Sequence, residues 1–389
     1  MEGDPLLAGI LVLDLSSVGP ASRASRLLAD YGARVVKVGP TTKRGGVQIR
    51  PPFHSYGAGR SLERFQVDLK APAGRDAFLK LAATADVLIE SYRPGVTARL
   101  GIAYEDVRRL NERIVYCSTT GYGQDGPYAS WAGHDINYLA IGGYLACSTE
   151  AEGGAPPIPG ATVADAAGGG MHAVIAILAA LVARAKTGRG RYLDVAAAEG
   201  VLSLMSLSVD QYLATGEIAG PRATLLTGRY ACYDVYRARD GKWLSVGAIE
   251  PHFWANLCRL LGLERYAEHQ NDDARQDEIR AALKQVFAER DRDDWVTELA
   301  PRDTCVAPVY DLPEVVADPH LAARGLFMEA ESAEHGRFRQ VAPLLAGGLR
   351  PQPLHRVRDT DGTDTDRLLR EASLSDREIA ALRAEGAVE

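Results

Sequence analysis

The sequence lacks several features that would narrow its function at once. It has no C-x-x-C pair: its five cysteines, Cys117, Cys147, Cys232, Cys258 and Cys305, are odd in number and widely scattered. That argues against a disulfide framework and a zinc site, and it fits a reducing cytoplasm. There is no surplus of positive charge. The formal net charge is −7, which excludes a general nucleic-acid binder but leaves room for local basic clusters that hold a phosphorylated small molecule. No basic n-region opens the chain, since Met1-Glu2-Gly3-Asp4-Pro5 is acidic and Asp14 breaks the apolar stretch behind it; no secretory signal is expected. The longest purely apolar run, 173–183, is shorter than the roughly 18 residues that cross a bilayer and reads as a buried helix. Aromatic residues are few, at 7%, a hint of an aliphatic ligand pocket. No internal repeat is evident.

What remains is the composition of a soluble globular protein, 46% hydrophobic and 24% charged over 389 residues, enough for two sizeable cores. The first 120 residues alternate short β-branched runs with helical patterns, as in an open, mostly parallel sheet of βαβ units. Strands are expected at 10–15, 34–38, 65–69, 86–90 and 113–118, with helices at 21–31 (Gly32 as C-cap), 73–83 and 105–110. A long helix at 165–186, apolar on nearly every face, should be central to a core. After a second helix at 201–215, alternation at 230–237 and 243–249 around Asp240-Gly241 marks a hairpin, followed by helices near 253–261, 275–289 and 292–299. Strands at 326–330 and 338–343 precede a last helix with the capping box Ser375-Asp376-Arg377-Glu378. The expected division is a large Rossmann-like α/β domain over 1–200, a linker helix over 201–224, a small α+β domain over 225–320, and a return to the large domain with C-terminal helices over 321–389.

Five features carry candidate chemistry. Gly121-Tyr122-Gly123-Gln124-Asp125-Gly126 is a literal G-x-G-x-x-G, but Pro127, Trp131 and His134 leave no helix start to face a pyrophosphate, so the dinucleotide reading is rejected in favour of a tight glycine loop beside a ligand. His134 lies past this loop, next to Asp135, which is placed to cap the helix suggested by Ile136, Tyr138 and Leu139. On residue type alone the imidazole suits proton transfer, and a structural role is the commoner alternative. Asp165 precedes Gly168-Gly169-Gly170, each of which costs a helix interior about 1 kcal/mol relative to alanine. Either a ligand or second backbone approaches there, or Asp165 is an N-cap and the glycines are packing contacts. Glu250 follows the hairpin, as a support for a histidine or simply a helix-start residue. Lys43, Arg44, Arg60, Lys70, Arg93 and Arg99 are basic residues suited to phosphate or to solvated surface.

Taken in order, several segments resemble the family of α-methylacyl-CoA racemases and class III CoA-transferases (the CaiB/BaiF family). They are 11–15 with Gly19-Pro20, Gly32 to Val38, Val67-Asp68-Leu69-Lys70, Tyr92-Arg93-Pro94-Gly95, Gly121 to Pro127, Gly133-His134-Asp135-Ile136-Asn137-Tyr138 and Asp194-Val195-Ala196. The resemblance implies an enzyme acting on 2-methyl-branched acyl-CoA thioesters, with no metal and no cofactor beyond the coenzyme A moiety of its substrate. It further implies His134 and Asp165 as a proton-transfer pair and Glu250 as a support for the histidine from the partner subunit of an interlocked homodimer. Val67, Asp68, Leu69, Lys70, Ser91, Tyr92, Arg93, Arg99, Gly133, Asp135, Ile136, Asn137 and Tyr138 are implied as coenzyme A contacts. Proton transfer fits the residue types: a thioester acidifies its α-hydrogen, so a base on one face and an acid on the other invert the centre through an enolate, with backbone N–H groups at the start of the Asp165 helix as candidate enolate donors. The runner-up is a CoA-transferase in which Asp165 attacks the thioester; a non-catalytic acyl-CoA-binding protein is the third reading. The chain departs from the family pattern at Gly39-Pro40 and at 59–62, where Lys43 or Arg44 is the expected substitute for the nucleotide contacts. Nucleic-acid and membrane partners are not expected.

Overall fold

The computed structural model describes residues 5–42, 52–54, 60, 62–148, 154–343, 354–357 and 362–389. Lys43, Arg44, Gly59 and Ser61 lie outside the described residues. The chain divides into two compact units, one formed by 1–143, 159–206 and 322–389 and the other by 144–158 and 207–321.

The first unit is built on β1 (Leu11–Asp14), α1 (Gly19–Asp30), β2 (Arg34–Gly39), β3 (Leu62–Gln66), α2 (Pro72–Ala82), β4 (Val87–Glu90), α3 (Val96–Leu100), α4 (Tyr104–Arg108) and β5 (Val115–Thr120). It continues through α5 (Asp135–Ile141), a π-helix (Ala164–Met171), α7 (His172–Thr187), β6 (Arg191–Ala196) and α8 (Ala197–Leu204), the short α6 (Tyr144–Cys147) between them belonging to the second unit. The six strands run in the order β3-β2-β1-β4-β5-β6, and every pairing is parallel. Parallel strands covered on both faces read as continuous apolar runs. Val87, Leu88 and Ile89 are all fully buried. One face packs Phe78, Leu81, Leu368, Leu369 and Ile379; the other packs Ala24, Leu28, Ala173, Val174 and Ile177. The order reverses between β1 and β4, the crevice where such sheets bind ligands.

The helix expected over 165–186 is in fact two forms of helix. Its first eight residues are π-helix and the ordinary α form begins at His172. By length and hydropathy the pair could cross a membrane, yet the glycines show a core element. A Cβ on Gly169 would lie 2.5 Å from Pro20, and one on Gly170 2.9 Å from Arg23, both on α1. A Cβ on Gly200 of α8 would lie 1.8 Å from the Gly168 carbonyl oxygen. The three glycines therefore let neighbouring helices pack closely, and at Gly168 a second backbone makes the approach, so each of the two alternatives left open by sequence holds in part. Nor is the helix apolar because it is wholly buried: Ile175 and Val182 are exposed.

The second unit contains α9 (Ser206–Thr215), β7 (Tyr233–Arg237), β8 (Trp243–Gly247), α10 (Pro251–Leu260), α11 (Gln276–Phe287), α12 (Arg292–Leu299), β9 (Val306–Val309) and α13 (Leu312–Ala317). Its three strands form an antiparallel sheet, β7-β8-β9. The turn holds Gly241 at φ +82°, with its N–H bonded to Ala238 O. Tyr236, Trp254, Ile279, Leu283, Phe287 and Trp295 form the core, and both indoles find partners, Trp254 Nε1 on Tyr266 O and Trp295 Nε1 on Phe287 O at 3.0 Å each. The helix expected at 201–215 is interrupted at Met205, and none continues past Thr215, so the expected linker helix over 201–224 is not continuous.

After α14 (Pro319–Ala323), the chain adds a three-stranded sheet, β11-β10-β12, from β10 (Phe327–Ser332), β11 (Gly336–Val341) and β12 (Leu354–Arg356). It then closes the sheet's first face with α15 (Thr365–Glu371) and α16 (Asp376–Ala384). Ser375 caps α16, bonding the Glu378 N–H while Glu378 bonds the Ser375 N–H at 2.7 Å. The final residues return to the parallel sheet, where Val388 bridges Val67 and Asp68 N donates to Ala387 O at 2.8 Å.

Because the Gly168 and Gly200 backbones touch, Gly200→Ala should lower the unfolding free energy by about 2 kcal/mol or more through overpacking. Urea denaturation of the variant checks this; an unchanged midpoint would mean the two helices separate freely.

Candidate active site

A cleft of about 390 Å³ opens at the carboxyl ends of β4 and β5, beside the point where the strand order reverses. Ser91 to Pro94 form one wall, Thr120 to Tyr122 the floor, and Trp131 to His134 with Asn137 and Tyr138 the other wall. The first wall is tied down from beneath. Glu90 is buried at the end of β4 and accepts the Tyr92 N–H at 2.7 Å; burial pushes its carboxyl above the ordinary range, against the pull of bonds from Ser118 and Tyr92.

The second wall depends on Tyr138. Its hydroxyl donates to Gly133 O at 2.5 Å, and its ring fills space that only glycine leaves open. A Cβ on Gly121 would lie 2.2 Å from the ring, and one on Gly133 2.7 Å. The first glycine of the G-x-G-x-x-G run thus makes room for a tyrosine, and no helix begins until Asp135, as the rejection of the dinucleotide reading requires. Tyr138 also meets Tyr122 edge to face at 5.2 Å, and Trp131 stacks near Tyr128 at 4.0 Å. The cleft is therefore aromatic, with Tyr92, Tyr122, Trp131 and Tyr138 along it. The average over the chain says nothing of where these four rings collect.

His134 is the N-cap of α5, in extended conformation, its N–H held by Asn137 Oδ1 at 3.0 Å and its side chain exposed in the cleft. The capping role expected of Asp135 belongs to the residue before it. The Asp135 carboxylate instead reaches across 30 residues to accept the Asp165 N–H at 2.8 Å. Asp165 is not an N-cap either; it lies inside the first turn of the π-helix. Burial pushes its carboxyl up, the Asp135 charge adds to this, and Arg23 and protonated His134 pull the other way. Asp165 thus lies within electrostatic reach of His134, although of the two only His134 lines the cleft. Two of the backbone N–H groups at the helix start are already engaged, that of Asp165 with Asp135 and that of Ala166 with Thr162 O at 2.9 Å.

The other expected residues fall in different places. Arg93 is exposed at the cleft, and Ile136 is exposed on α5. Val67 and Asp68 are buried under the chain's last residues, Leu69 is half-buried and Lys70 exposed, and none of the four lines the cleft. Arg99 is exposed on α3 beside Gly95. Arg60 is no phosphate ligand: it is buried, ion-paired with Asp30 at 3.2 Å, and donates to Val341 O at 2.9 Å. Glu250, in the second unit, is exposed at the N-cap of α10, on a loop that Gln270 anchors through Ala248 O and Ile249 O. Sequence reasoning missed Trp131 and Tyr122 as lining residues, although their spacing in a Gly- and Pro-rich loop was legible.

The model of CoA-transferase family III matches residues 7–364. The chain belongs to that family. This family III enzyme is 35% identical over 387 residues to the alpha-methylacyl-CoA racemase of Homo sapiens, covering 98% of this chain and 97% of that protein. It is also 30% identical over 407 residues to the human succinyl-CoA:glutarate CoA-transferase, covering 98% and 90%. Among solved structures, a CaiB/BaiF family protein from Brucella suis superposes with a TM-score of 0.76 at 26% identity, covering 99% of this chain and all of that one.

The raised Asp165 carboxyl has a consequence for stability. An acid whose folded value lies above its unfolded one contributes stability that is present below about pH 4 and lost as pH rises through the folded value. Asp165→Asn should therefore melt higher than the parent at pH 8, with the gap closing towards pH 4. Thermal unfolding at both pH values checks this, and a gap that widens on acidification would reverse the assignment.

Proposed function

We propose that this family III enzyme is a racemase of 2-methyl-branched acyl-CoA thioesters, with His134 and Asp165 as its acid/base pair. The observation that carries the reading is the tie between Asp165 and the histidine loop: the Asp165 N–H is held by Asp135, next to the His134 that lines the cleft, and burial pushes the Asp165 carboxyl above its ordinary range within electrostatic reach of that imidazole. Neutral His134 takes the α-proton from one enantiomer, the thioester spreads the charge as an enolate, and protonated Asp165 returns a proton to the opposite face. The roles exchange for the other enantiomer. The cleft walls, Ser91 to Arg93 with Gly133, His134, Asn137 and Tyr138, hold the coenzyme A arm, with Lys70 and Arg99 available to its phosphates.

Transfer of coenzyme A through an acyl-Asp165 intermediate is the competing chemistry, since relatives of both kinds match the whole chain. A nucleophilic carboxylate works best ionised, whereas a proton donor is favoured by the upward push that burial gives the Asp165 carboxyl. Incubating one 2-methylacyl-CoA enantiomer in D₂O separates the two. Racemisation gives α-deuterium uptake and epimer together, and His134→Ala abolishes both; acyl exchange onto an added free acid without deuterium uptake would establish the transferase instead.

The active form is a homodimer in which Glu250 of one copy supports His134 of the other. Apolar side chains left in the open by each unit, Ile175 and Val182 on α7 and Leu207 and Leu213 on α9, are the kind of surface that association covers. Mixed dimers of His134→Ala and Glu250→Gln chains should regain about half the parent activity, because one of their two sites then carries neither change. Activity no higher than either variant alone would place the whole site within one chain.

A further inference from the structure

We propose that Asp135 is a positioning residue that ties the acid/base aspartate to the histidine loop, its carboxylate serving Asp165 and not the substrate. This rests on the proton-transfer reading above and departs from the coenzyme A contact that the family resemblance implies for Asp135.

Asp135 follows His134 directly and opens α5, while Asp165 lies in the first turn of the π-helix. The Asp135 Oδ1 to Asp165 N bond, 2.8 Å long, joins the two. The preceding residue, Val163, supplies no side-chain cap, so without Asp135 the Asp165 N–H at this half-buried helix start loses its acceptor. One side chain thereby sets the spacing between both proton-transfer groups.

A neutral acceptor would satisfy that N–H equally well, and a carboxylate does something more. Its charge favours the protonated form of Asp165. Every element packed on the π-helix bears on this balance. From α1, Arg23 opposes it; from α5, protonated His134 opposes it, and Tyr138 lies within electrostatic reach. In α8 the one ionisable residue, Glu199, is exposed, and Asp194 on β6 is engaged with the Gln124 N–H. On α7, His172 is exposed and Arg184 is paired with Asp86 at 2.8 Å. Asp135 is therefore the anion set against Arg23 and, in the half-cycle where it carries the proton, His134.

The two tasks separate by substitution. Asp135→Asn keeps the acceptor and loses the charge; Asp135→Glu keeps the charge and displaces the acceptor. The readout is the rate of α-deuterium uptake from each 2-methylacyl-CoA enantiomer as a function of pH. For Asp135→Asn, the limb set by Asp165 should move to lower pH by about half a unit or more. At neutral pH kcat should fall about three- to tenfold, in the direction that needs protonated Asp165, with KM changed less than about twofold. Asp135→Glu should leave the limb at its parent pH while lowering kcat, and it carries the test if the asparagine variant does not fold. An unmoved limb in Asp135→Asn, a displaced limb in Asp135→Glu, or a loss confined to KM would overturn the proposal. If the parent itself takes up no deuterium, the racemase reading fails first; if the parent exchanges and the limb stays in place, this proposal fails alone.

Discussion

The contact on which the site depends is the approach of two backbones, Gly168 in the π-helix and Gly200 in α8, with no room for a side chain between them. Gly169 and Gly170 draw the same helix onto Pro20 and Arg23 of α1. Held from both sides, the π-helix brings the Asp165 backbone within reach of Asp135, and Asp165 itself within the field of His134. Three adjacent glycines weaken an isolated helix; here the loss is offset by close packing of neighbouring backbones. The widened π turn at that point is of the sort that collects at functional sites.

Much of the architecture was legible because parallel strands buried on both faces leave a strong mark. The runs at β1, β2 and β4 are β-branched and short, each within a residue or two of its expected bounds. The edge strands were harder. In β6, Arg191, Tyr192 and Asp194 are exposed, so its pattern reads as a loop. The strand β9 has four residues and contains Pro308, which belongs at a sheet edge and erases the usual signal. The change from π to α geometry between Met171 and His172 follows from tertiary contacts that no local pattern reports.

The site was legible as candidates more than as an arrangement. His134 and Asp165 stood out by residue type and by family resemblance, but a run of glycines does not say whether a ligand or another helix fills the vacant space; the answer lies in Gly200, 30 residues further on. Likewise, Arg60 is indistinguishable in sequence from a solvated arginine, because its partner Asp30 precedes it by 30 residues. The aromatic wall was hidden by averaging: few rings overall, several of them at one cleft.

The stretch Ala164–Thr187 also bears on how the protein is made. As it leaves the ribosome it is a 24-residue apolar segment, open to mispairing or capture by other apolar surfaces until its neighbours are in place. Its first partner, α1, has already been synthesised, and its second, α8, follows within some twenty residues, beyond β6. The glycine-rich start of the segment is thus covered by elements arriving on either side of it, the second as soon as the chain has turned back once, while the side of α7 that carries Ile175 and Val182 stays open.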